Sequence, residues 1–131
     1  MKHLVKITYC HLFLLLISCN FIPCEKVTNK DVAGYYVPCN SENRDKQYLK
    51  ILENNTFVMI CCNGSGIIEN RGTWQKSKGC YIMLDPNKNS EIQGVPPYWG
   101  AFIWVRGKLA MGDEASSFQK TWRKPKLFCE K

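Results

Sequence analysis

Polar and apolar positions alternate most cleanly along residues 67–75: Glu69, Arg71, Thr73 and Gln75 fall on one side, Ile68, Gly72 and Trp74 on the other. A period of two sends successive side chains to opposite faces of a strand and turns the apolar set toward a core. Asn70 is the exception, a polar residue on the apolar side. Upstream, residues 56–62 (TFVMICC) form a second strand-like run, and Asn63-Gly64-Ser65-Gly66 joins the two as a hairpin turn. Segments 32–38, 47–52, 80–84, 98–106, 109–111 and 118–123 have the same character, and most are separated by short polar turns. Residues 85–97 are a longer loop containing Pro86, Pro96 and Pro97. After residue 18 no segment sustains an apolar period of 3.6. The pattern predicts an all-β antiparallel meander of about eight strands, closed into an up-and-down barrel because closure removes the exposed edges. A β-sandwich of the same strands is the alternative.

The first eighteen residues do not fit this scheme. A short basic start with Lys2 and Lys6 leads into an apolar stretch from Ile7 to Ile17, then Ser18 and Cys19. This is the layout of a secretory signal, with an apolar core too short to cross a bilayer as a helix. Leu16-Ile17-Ser18-Cys19 resembles the lipobox of bacterial lipoproteins, which implies cleavage before Cys19, lipidation of that cysteine with palmitate-type chains, and a membrane anchor in the cell envelope. The outer membrane is the expected address and secretion the alternative. The predicted organisation is therefore a signal at 1–18, a tether at 19–31, a barrel domain at 32–124 and a C-terminal tail at 125–131.

Cleavage changes the chemistry available. Both histidines, His3 and His11, leave with the signal. The mature chain keeps sixteen basic against eleven acidic residues, a modest surplus that is scattered except at Arg123-Lys124-Pro125-Lys126. Without histidine no Ser-His-Asp or Cys-His arrangement can form. Glu91, Asp113 and Glu114 show no spacing that would set two carboxylates across a cleft. A non-enzymatic protein without a cofactor is expected, and an exported chain lacking any nucleic-acid motif is not expected to bind RNA or DNA.

Six cysteines remain after Cys10 and Cys19 are set aside: Cys24, Cys39, Cys61, Cys62, Cys80 and Cys129. In a small exported domain an even set reads as disulfides, although six cysteines allow fifteen pairings. In a meander, strands one and three end on the same side, which predicts Cys39 bonded to Cys61 or Cys62. The other end gathers Cys24, Cys80 and Cys129, which predicts Cys129 bonded to Cys24 or Cys80. Cys61 and Cys62 are adjacent and so point to opposite faces, a poor layout for one metal ion. No metal site is assigned. A Cu(I) site drawing on Met59 with these thiols is the weaker alternative to disulfides.

The motifs Gly34-Tyr35-Tyr36, Leu49-Lys50-Ile51-Leu52, Asn55-Thr56-Phe57, Gly72-Thr73-Trp74 and Ile82-Met83-Leu84 resemble the small lipocalin-like domains of bacterial lipoproteins. With Pro38-Cys39 after the first strand, the layout is similar to the N-terminal barrel of the NlpE-type copper-resistance and envelope-stress lipoproteins. The Cys-x-x-Cys of that family is absent here, since Cys39 is followed by Asn40-Ser41-Glu42, and its metal or redox role is not carried over. The resemblance implies a lipocalin-like fold, an envelope address and a small apolar ligand. If the barrel is not full, Tyr35, Phe57, Trp74, Phe102, Trp104, Phe118 and Trp122 are the candidate cavity lining; otherwise they fill the core. Pro96, Pro97, Tyr98 and Trp99 form a candidate contact patch for a protein partner. Small-ligand binding inside the barrel is the leading expectation, a protein-interaction or inhibitor module the second, and an envelope thiol or copper sensor the third.

Overall fold

The computed structural model describes residues 23–64, 66–86, 100–112 and 116–129. Eight antiparallel strands follow one another around a closed barrel: β1 (Gly34–Pro38), β2 (Gln47–Ile51), β3 (Thr56–Asn63), β4 (Gly66–Lys76), β5 (Tyr81–Pro86), β6 (Gly100–Val105), β7 (Lys108–Ala110) and β8 (Phe118–Thr121). Each strand pairs with its sequence neighbour, and β1 pairs with β8 to close the ring. The barrel, not the sandwich, is the architecture.

The hairpin β3–β4 is the longest pairing, running in register from Thr56↔Thr73 to Asn63↔Gly66. Its turn works because Gly64 adopts φ +56°, a conformation that L side chains rarely take. The β6–β7 hairpin turns on Arg106 and Gly107, both at positive φ, which matches the twist of a two-residue loop. The apolar alternation of β4 is realised as drawn from the sequence: Ile68, Asn70, Gly72 and Trp74 are buried, while Glu69, Arg71, Thr73 and Gln75 are exposed.

The inward positions make one core. Tyr36, Leu49, Phe57, Met59, Ile82, Phe102, Leu109 and Phe118 are each at most 1% exposed and pack into one cluster. Phe102 and Phe118 meet edge to face with centroids 6.0 Å apart. Among the polar groups within this core, the Trp104 indole donates to the Tyr36 hydroxyl at 3.2 Å, and that hydroxyl donates to the Val32 carbonyl at 2.5 Å.

One end of the barrel is plugged by the segment expected to be a tether. A 3-10 turn at Cys24–Lys26 and a single helical turn, α1 (Asn29–Val32), lay Val27 and Val32 into the core, 3% and 0% exposed. Asp31 caps the start of α1 by accepting from the Thr28 amide at 2.7 Å. That bond to the backbone holds the Asp31 carboxyl below its usual range. Two lysines from the strands satisfy carbonyls of the plug: Lys76 donates to Val27 at 2.6 Å and Lys120 to Asp31 at 2.7 Å. Partial burial pulls the Lys120 ammonium below its ordinary value. Residues 24–32 are therefore packed with the barrel, because Val27 and Val32 cover its bottom.

The tail also differs from expectation. After β8, residues 122–129 run back along the outside of the barrel, and the Phe128 amide donates to the Asp45 carbonyl at 2.9 Å. Extended chain of this length reaches roughly 26 Å, enough to pass from one end to the other. This strap explains the cysteine pairing. Cys24 bonds to Cys80 at the plugged end, and Cys62 bonds to Cys129 at the far end. Cys39 and Cys61 are free thiols.

Both predicted pairings are thus corrected. Cys39 continues the β1 register, and β2 lies between it and β3, so two strand spacings of about 4.8 Å separate it from Cys61 and Cys62. About 10 Å exceeds the roughly 7 Å a disulfide can bridge. Cys129 does not join Cys24 and Cys80, because the strap carries it away from the end where β8 finishes.

Breaking the strap's staple with Cys62→Ser and Cys129→Ser together should lower unfolding stability by roughly 2–4 kcal/mol, read from denaturant melts. Phe57→Ala should cost roughly 3–5 kcal/mol in the same assay. Unchanged midpoints would contradict the packing described.

Candidate functional site

Filling of the interior decides where a site can be. Of the seven aromatics proposed as cavity lining, Phe57, Trp74, Phe102, Trp104 and Phe118 do face inward and are buried, but as core. Trp74 is further tied by its indole, which donates to the Leu52 carbonyl at 2.8 Å. The other two face elsewhere. Tyr35 pairs with Lys50 on the outward register, and the ring on the inside is its neighbour Tyr36. Trp122 follows the end of β8 and is fully exposed. Cys19 and the patch Pro96, Pro97, Tyr98 and Trp99 lie outside the described residues.

The outer face of β1–β4 carries a groove of about 500 Å³, closed on one side by Lys124 of the strap. Its floor is a grid set by the strand register. One row across the four strands reads Tyr35, Lys50, Val58 and Arg71. The next row reads Tyr48, Ile60 and Glu69. Beyond the first row on its other side, Leu52 and Thr56 are joined by a backbone bond of 2.9 Å. Tyr48 is 4% exposed although it faces outward. Tyr35 meets Tyr48 edge to face at 5.9 Å, and the Lys50 ammonium sits 5.5 Å from the centre of the Tyr35 ring. Arg71 is ion-paired with Glu69.

A different outer face is apolar. On β5 and β6, Tyr81, Met83, Ile103 and Val105 are each more than two-fifths exposed, and Tyr81 and Ile103 are direct cross-strand partners.

The inner face of β3 and β4 holds two features the sequence flagged, Asn70 in the middle row and Cys61 one row further from the plug. Asn70 lies opposite Met59 on the inward face, is 5% exposed, and its Oδ1 has no hydrogen-bond partner. Cys61 faces the same interior and packs against the core, with its thiol 3.6 Å from the Gln47 Oε1. Burial pushes the Cys61 thiol above its ordinary pKa, so little of it is thiolate near neutral pH. Cys62, next in the chain, faces outward into its disulfide, as strand alternation requires. Among the described residues no three His, Cys, Asp or Glu side chains gather as a metal-ligand set.

The groove was not legible from the sequence, because it depends on the strap folding back and on register across four strands. Asn70 was legible as an anomaly. Compared with protein-family models, curated proteins and solved structures, the chain gives no match.

Thiol titration checks this placement. Without reductant, the unfolded chain should release two thiols from residues 24–129, and mass mapping should place them at Cys39 and Cys61. In the folded protein Cys61 labelling should speed up as pH rises beyond the usual thiol range, because its raised pKa delays thiolate formation. Labelling of Cys62 or Cys129 would contradict the assignment.

Proposed function

We propose that this chain is an exported envelope lipoprotein, anchored through Cys19, that binds rather than catalyses and does so from the outside of its barrel. The carrying observation is the filled interior: the inward aromatics are spent on packing, whereas the outer surface offers the groove and the apolar face. Eight paired strands, a plugged end and two disulfides make a rigid support of the kind on which a recognition surface is held with little ordering cost. The absence of histidine after residue 18 leaves no ordinary general base for a hydrolytic site. The lipobox-like Leu16-Ile17-Ser18-Cys19 supports the anchor.

A second reading has a specific observation behind it. The unpartnered Asn70 Oδ1 would suit a small molecule with an apolar body and one donor, lodged on the inner face of the barrel.

Native mass spectrometry of the protein isolated from its own host, without reductant, tests both. The expected species begins at Cys19 with added acyl mass and carries any retained ligand, which Val58→Asp in the groove should release while Asn70→Leu leaves it bound. Release by Asn70→Leu alone would move recognition to the barrel interior. An unmodified N-terminus at Cys19 would remove the anchor.

A further inference from the structure

The outer groove combines an apolar floor with cations on three sides, and we infer that it binds a single-chain anionic amphiphile, a medium-length alkyl chain with a carboxylate or phosphate head. The inference rests on the reading that recognition happens outside the barrel and names the ligand class for that surface.

The floor runs along β3. Val58 and Ile60 project outward on successive rows, flanked by Leu52, and all three are only half-buried. Lys124 is the strap residue that lines the groove, and Phe128 is 66% exposed. Rows on one face of a strand repeat every second residue, so three rows span about 13 Å, a length that suits an alkyl chain laid along β3. A volume near 500 Å³ falls within the ordinary range for small-molecule sites.

The cations decide the head group. Lys50 stands one strand to one side of Val58 and Arg71 one strand to the other, while Lys124 comes from the strap. The groove has one acidic residue, Glu69, and it is already paired with Arg71. Lys50 and Lys124 thus give the groove a positive surplus beside apolar surface, which attracts a charged head and leaves the tail to the floor.

Two competing ligand classes fit less well. A peptide gains most from pairing with a sheet edge, and here every strand of β1–β4 is paired on both sides. A neutral sugar needs free donors and acceptors, yet the Thr56 hydroxyl and amide both donate to Asn54 Oδ1, at 2.6 Å and 3.2 Å. Those groups are engaged with each other.

The test is calorimetric titration of the purified full chain, disulfides intact, with sodium dodecanoate below its critical micelle concentration and with 1-dodecanol as the neutral control. Dodecanoate should bind at one site. Lys50→Gln and Lys124→Gln should each weaken it about tenfold, equivalent to about 1.4 kcal/mol, and Val58→Asp should abolish it. Asn70→Leu should leave it unchanged, and 1-dodecanol should bind at least tenfold more weakly. Thermal melts confirm that each variant is folded, and Val58→Thr provides a milder change at the floor should Val58→Asp unfold the barrel. Equal binding of alcohol and acid, indifference to the lysine variants, or no binding of dodecanoate would each overturn the inference. If the last result occurs while host-derived protein still loses a ligand on Val58→Asp, recognition on the outer face stands and the ligand belongs to another class.

Discussion

Everything in this molecule depends on the two-residue alternation of side chains around a ring that closes. Once β1 pairs with β8, each strand has exactly one interior face, and a side chain's parity determines whether it is core or surface. Tyr36 and Tyr35 are neighbours in sequence with the same chemistry, yet one is wholly buried beside Trp104 and the other lies on the outside against Tyr48 and Lys50. The same rule separates Cys61 from Cys62. Parity, set by register, assigns each its role.

A ring of eight short strands leaves ends to be covered, and residues 24–32 cover one of them. The N-terminal segment enters the plugged end, where Lys76 and Lys120 supply the hydrogen bonds that its carbonyls would otherwise lack. The C-terminal strap returns along the outside to the other end. A disulfide secures each terminal segment to the body of the barrel. Since a small domain has a small core, these covalent ties add stability that side-chain burial alone supplies only modestly. The strap has a second effect, because it adds Lys124 to the lining of the groove on the outer face.

Much of the fold could be read from residues alone. Glu69 to Gln75 alternate so regularly that β4 was certain to have one wet face, and Gly64 and Gly107 stand where tight hairpin loops need positive φ. The missed features are non-local. Nothing in the composition of residues 23–32 distinguishes a tether from a plug; only Val27 and Val32 hint at burial, and two valines in a polar stretch are a weak signal. The strap was not visible because the bond that holds it, Cys62 to Cys129, joins residues 67 apart in sequence. Missing the strap also misplaced Cys129. For the site, the aromatic residues were correctly picked out as strand-borne, but whether a barrel is full depends on summed volumes that no single position reveals. Asn70 was visible as a misfit on an apolar face and remains one in three dimensions, with an unpartnered oxygen.

The central claim is that the interior is scaffold and the outer face does the recognising. An experimental structure of the protein purified from its host, with whatever it carries, tests that claim most directly. The account predicts ligand density outside the barrel, lying along Val58 and Ile60 with its charged end near Lys50 or Lys124. Density inside the ring, against Phe57, Met59 and Asn70, would contradict it.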